Sequence, residues 1–209
     1  MGKINLDKLE DMQYDVLKEI GNIGAGNATT ALSKMLSMKM NMKVPNVALV
    51  PFTEITDFIG SEEQIVVGIL LGLEGDIQGM MMFIFDMKSA HHLVNTLMQD
   101  DINKNATNDN VDFSDMEMSA LNEIGNIVAG SYLTAIATLT NMKIIATIPD
   151  MQIDMIGALL SVPAAEFGKY GDKMLLIQSQ FGELELVNGY FLLIPELDSY
   201  DKILESLGM

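Results

Sequence analysis

The chain has 209 residues, 49% of them hydrophobic, which suits one domain of ordinary size or two small halves sharing a core. Its net charge of −17, from 29 acidic against 12 basic residues, repels phosphate backbones and anionic lipid, so nucleic acid and membrane surfaces are excluded as partners. The absence of cysteine removes disulfides, thiolate catalysis and Cys-based zinc sites together.

The polar, acidic start "MGKINLDKLEDM" is no signal peptide, and no apolar run is long enough to cross a bilayer. Cytoplasmic localisation is therefore expected. From about Leu6 the pattern is helical, with apolar Leu17, Ile20 and Ile23 on one side. β-like runs follow: "KVPNVALVPF", "EQIVVGILLGL" and "GMMMFIFDM". A short helix near Ser89 carries adjacent His91 and His92, which point apart on a helix and are expected at the surface or an interface. The stretch 105–111 is polar and Asn-rich, and reads as a linker. Ser114 ahead of Glu117 predicts a capping box for a second long helix. The runs "KIIATIPDMQIDM", "KMLLIQSQF" and "ELVNGYFLLI" then predict strands, and a last helix is expected near Ser199. Most of the methionines lie in apolar-periodic segments and are expected to fill the core.

This order occurs twice because the chain repeats itself. "LKEIGNIGAGN" at 17–27 returns as "LNEIGNIVAGS" at 121–131, an offset of 126 − 22 = 104. Pro45 meets Pro149 at the same offset, and further on Gly79 aligns with Gly189 and Ser89 with Ser199. The sequence thus predicts an α/β mixed (α+β) fold, an internal duplication of a helix–strands–helix unit with pseudo-twofold symmetry and one shared core. The repeats are 1–104 and 112–209, and a monomer is expected.

The glycines of the repeated phrase are not a phosphate cradle. Gly21, Gly24 and Gly26 give G-x-x-G-x-G inside a helical pattern, and no Lys-Ser/Thr follows. Gly21, Ala25 and Ala28 share one helix face, where small residues admit a close neighbour. Asp15, Glu19 and Asn22 form another stripe at i, i+4 and i+7, matched by Ser119, Glu123 and Asn126. An exposed Glu and Asn have no packing reason to persist in both copies while Lys18 becomes Asn122 and Asn27 becomes Ser131.

The two motifs, "DVLKEIGN…VP" ending at Pro45 and "SALNEIGN…IP" ending at Pro149, resemble those of the CheC-type chemotaxis phosphatases. The resemblance is closest to the CheC type itself, with two motifs and no room for the extra C-terminal domain of FliY-type relatives. It implies a phosphatase acting on the phospho-aspartate of a CheY-type response regulator. Asn22 and Asn126 would each orient an attacking water, since an amide both accepts and donates hydrogen bonds. Glu19 and Glu123 would pair with the receiver's Lys. Asp15, Ser119, Pro45 and Pro149 would support the motif. No metal cluster is evident, so no cofactor of its own is expected; Mg²⁺ would come with the receiver. A CheD-type receptor deamidase is a further possible partner. The alternative is a non-enzymatic interaction module of the chemotaxis and flagellar switch system, binding such a deamidase or phosphorylated CheY.

Overall fold

A computed structural model describes residues 11–98, 112–167, 173–182 and 187–208. The 105–111 stretch lies outside the described residues, as does the predicted helix start near Leu6. The first half comprises α1 (Asp11–Met35), β1 (Asn41–Pro51), a 3-10 turn at Phe52–Glu54, α2 (Ile55–Ile59), β2 (Ile65–Gly75), β3 (Gly79–Asp86) and α3 (Met87–Met98). The second comprises α4 (Asp115–Thr140), β4 (Ile144–Ala146), β5 (Asp150–Met155), α5 (Ile156–Phe167), β6 (Lys173–Gly182), β7 (Val187–Pro195) and α6 (Leu197–Ser206). The fold is mixed α/β, as the sequence predicts. Among the described residues no helix is long and apolar enough to cross a membrane.

The seven strands form one sheet in the order β1-β6-β7-β3-β2-β4, with β5 also paired to β2, and all pairings are antiparallel. The halves exchange strands. First-half β1 pairs with second-half β6, while second-half β4 and β5 pair with first-half β2. Val47 opposite Ile177 is matched by Met151 opposite Ile69, offsets of 151 − 47 = 104 and 177 − 69 = 108. Carried into the middle of the sheet, 108 relates Phe83 to Phe191, which face each other across β3 and β7. A residue opposite its own counterpart marks a twofold axis. An offset of 110 serves the start of these strands and the helices that follow: Gln78 N–H donates to Ser199 Oγ and Asn188 N–H to Ser89 Oγ, which keeps Gly79 with Gly189 and Ser89 with Ser199.

Alternation along the strands sends residues to two cores. Val67, Ile69, Leu71, Phe83, Phe85, Leu175, Ile177 and Leu193 pack under α1, α3, α4 and α6. Val66, Met82, Ile84, Met174, Leu176 and Leu192 pack under α2 and α5 on the other side. The helix α5 was not predicted: its 12 residues are almost wholly apolar and contain Pro163, so no periodicity announces it.

The expected capping box is present. Ser114 Oγ accepts from Glu117 N–H at 3.4 Å, and the Glu117 carboxylate accepts from Ser114 N–H at 2.7 Å. Ser37 and Asn141, again 104 apart, follow the two long helices with left-handed φ of 52° and 54°. Met40, Met81, Met82, Met87 and Met174 are buried, whereas Met12 and Met116, repeat counterparts, are 67% and 69% exposed. His91 is not at the surface. It is fully buried and stacks on Phe113 at 4.1 Å, because α3 lays the face bearing Ala90, His91 and Val94 against the base of α4. His92 is half-buried.

Candidate active site

The helices α1 and α4 pack side by side over the centre of the sheet, each seated by its own glycine. A Cβ on Gly21 would lie 2.8 Å from Val47 Cγ2 and 3.2 Å from Ile177 Cδ1, and one on Gly125 would lie 2.5 Å from Ile69 Cδ1. Ala25 and Ala28 are fully buried on the same side. Gly24, which becomes Val128 in the second copy, has a different duty. A Cβ there would lie 2.2 Å from the Tyr132 ring. That ring stacks on Phe191 at 4.0 Å, and Phe191 stacks on Phe83 at 4.9 Å, so the aromatic trio sits on the twofold axis. The counterpart of Tyr132 is Ala28 (132 − 104), so the ring has no twin, and Gly24 makes room for it.

With the apolar faces so fixed, the polar stripes turn outward. Glu19, Glu123 and Asn126 are exposed and Asn22 is half-buried. Among the described residues none of these four side chains has an internal hydrogen-bond or ion-pair partner. Their motif neighbours do. Asp15 meets Lys18 at 3.6 Å, and Lys18 also lies over the Tyr14 ring at 4.5 Å. The Ser119 hydroxyl donates to the Asp115 carbonyl at 2.8 Å. Tyr14 donates to the Val47 carbonyl and ties the start of α1 to β1. Further along the stripes, Thr30 donates to the Gly26 carbonyl at 3.0 Å and Thr134 to that of Gly130 at 2.7 Å.

The prolines stand apart from the stripes. Pro45 lies within β1, where the register shifts between Lys43 and Asn46. Pro149 falls between β4 and β5. In both places pairing with the neighbouring strand is interrupted, as a residue lacking an N–H requires. Among the described residues no group of three His, Asp or Glu side chains is placed to hold a metal ion.

Each stripe therefore presents one carboxylate and one amide, a helical turn apart and free to engage an outside partner. A sequence model described as the CheC-like family matches residues 12–49 and 116–151, the two motif helices with the strands that follow them. A Bacillus subtilis protein named CheY-P phosphatase CheC is 33% identical over 203 residues, 96% of each chain. The chain belongs to the CheC-like family. It is also 26% identical over 148 residues to the flagellar motor switch phosphatase FliY of B. subtilis, covering 71% of this chain and 37% of that one. Among solved structures, Thermotoga maritima FliY superimposes with a TM-score of 0.74 at 19% identity, covering 96% of this chain and 98% of that chain. A chain of the CheX-CheY-BeF3-Mg+2 complex from Borrelia burgdorferi reaches 0.51 at 18% identity, covering 83% of this chain and 95% of that chain. Those two structural likenesses speak for the fold.

Proposed function

We propose that this CheC-like chain is a phosphatase that hydrolyses the phospho-aspartate of a CheY-type response regulator, with Asn22 and Asn126 each positioning the attacking water. The observation that carries the reading is the pair of outward stripes, in which only the Glu and the Asn lack an internal partner. The relative named CheY-P phosphatase CheC, matched along nearly the whole chain, supports the substrate class.

The substrate is an acyl phosphate, and hydrolysis requires water in line with the leaving carboxylate oxygen. The Asn Oδ1 accepts a hydrogen bond from that water while Nδ2 donates outward, so the amide supplies orientation rather than proton abstraction. Glu19 or Glu123, one turn earlier, pairs with the receiver's active-site Lys and fixes the docking register. Asp15 and Ser119, already engaged within their own helices, support the stripe. Mg²⁺ arrives with the receiver and neutralises charge on the phosphoryl oxygens. On this reading the protein acts in the cytoplasm as a monomer carrying two sites, and a CheD-type receptor deamidase is a second protein partner.

The test is loss of ³²P from a phosphorylated CheY-type receiver in Mg²⁺. The wild type accelerates loss above spontaneous decay. Asn22→Ala and Asn126→Ala each retain part of that activity, and the double variant abolishes it while unfolding like the wild type. A double variant as active as wild type refutes water positioning by these residues. A wild type without effect leaves the non-enzymatic binding module as the function.

A further inference from the structure

Gly26 and Gly130 are a second pair of helical glycines, and packing does not explain them. Gly21, Gly24 and Gly125 each face a side chain that an added Cβ would strike, but at Gly26 and Gly130 an added Cβ meets nothing within 4 Å among the described residues. Glycine in a helix interior is destabilising relative to alanine. Here that cost recurs at equivalent positions (130 − 26 = 104) with no internal contact to offset it.

Their place on the helix is specific. At about 100° per residue, Asp15, Glu19, Asn22 and Gly26 fall within roughly 60° of one another, as do Ser119, Glu123, Asn126 and Gly130. Gly26 and Gly130 come one turn after the Asn on the same outward stripe. A helical Cα–Cβ bond tilts toward the N-terminus, so a side chain covers the turn before its own Cα. Any side chain at position 26 or 130 would lean over the surface beside Asn22 or Asn126. We infer that Gly26 and Gly130 are positioning residues: they keep the helix bare so that the phosphorylated receiver can seat the rim of its active site against the backbone next to each Asn. The inference rests on the phosphatase reading above and adds to it a steric requirement on the docking surface.

The requirement separates stability from binding. Gly26→Ala and Gly130→Ala each raise the thermal midpoint, by about 2–4 °C, because alanine is the better helix former and the space is open. The double variant at the same time binds the beryllofluoride–Mg²⁺ form of a CheY-type receiver at least tenfold more weakly, and its KM for the phosphorylated receiver rises while kcat falls less. Asn27→Ala, exposed but about 100° round the helix from Gly26, leaves affinity unchanged. Combining Gly26→Ala with Asn126→Ala reads the first site alone. A more stable double variant with wild-type affinity and KM overturns the inference while leaving the Asn sites standing. A lowered thermal midpoint also overturns it, since the glycines would then be structural. A wild type that neither binds nor dephosphorylates the receiver sinks the phosphatase reading and this inference with it.

Discussion

Gly24→Ala tests the packing that fixes the two stripes. The new Cβ would lie 2.2 Å from Tyr132 Cδ1, where carbon atoms rest at about 3.5–4.0 Å, so ring or helix must yield by about 1.3 Å. The ring cannot retreat easily: it is 1% exposed and stacked on Phe191, with Phe83 at 5.8 Å. Overpacking of this kind costs about 1–3 kcal/mol, and the geometry places it toward the upper end. Alanine returns about 1 kcal/mol through helix propensity, so the net loss is about 1–2 kcal/mol. In a Tyr132→Ala background, itself destabilised by about 3–5 kcal/mol, the obstruction is gone and the same substitution stabilises by up to about 1 kcal/mol. The assay is equilibrium urea unfolding of all four proteins. With m near 2 kcal/mol/M, a loss of about 1.5 kcal/mol moves the midpoint down by about 0.7 M in the wild-type background, and the shift reverses sign in the other. The same sign in both backgrounds would show that Gly24 does not answer Tyr132.

Glu19→Ala and Glu123→Ala together raise KM for the phosphorylated receiver as well as lowering kcat, because a charge across the interface is lost; that costs on the order of 2 kcal/mol if the pair is desolvated, and a pure kcat effect in steady-state kinetics would refute the docking role. The Glu117 carboxyl is held below its ordinary pKa, chiefly by the hydrogen bond from Ser114 N–H, with burial opposing. A lowered folded-state pKa contributes stability above the ordinary carboxylate value and loses it as pH falls through the folded value. Glu117→Gln is therefore less stable than wild type near neutral pH, and the difference closes in acid; a gap that widens in acid refutes the assignment. Cut between residues 104 and 112, neither half yields a folded monomer, because among the described residues β1 pairs only with β6, and β5 only with β2. Sedimentation of each fragment should show an unfolded chain or a self-associated one, and the mixed fragments should reassemble; a folded monomeric fragment refutes strand exchange as a requirement.

Much of this was legible because the chain is written twice. Self-alignment located both long helices, and the period of the apolar residues told which side faces inward. Leu17, Ile20, Leu121 and Ile124 are buried as that pattern requires. The strands were found as apolar runs, but their neighbours were not, since nothing local in "KVPNVALVPF" says that it pairs with "KMLLIQSQF" from the other half. His91 was misplaced because adjacent polar residues read as surface when the helix carrying them has no visible partner. Gly26 was hidden among neighbours of a different kind. The repeat shows Gly21 and Gly26 equally well, and only the space around each separates a packing glycine from an open one.

Strand exchange also decides what each stripe depends on. α1 belongs to the first half, yet Gly21 rests on Ile177 of second-half β6 as well as on Val47 of β1. α4 belongs to the second half, and Gly125 rests on Ile69 of first-half β2. Each motif helix is therefore levelled by the other half's sheet. A motif copied without its partner strands would keep its Glu and Asn but lose the floor that turns them outward. The axis is where the two halves were freest to diverge, because a residue there meets its own counterpart and both change at once in a symmetric assembly. A single chain escapes that constraint. It places Tyr132 on one side and answers it with Gly24 on the other, filling the centre with one such ring where symmetry would demand two or none. The buried middle diverges, and so do outer positions such as Asp15 with Ser119 and Lys18 with Asn122, but the Glu and Asn at 19 and 22 and at 123 and 126 remain alike. On the proposed function that division follows from what each region must fit: the core fits itself and can change in pairs, whereas the Glu and Asn of both stripes would meet the same receiver.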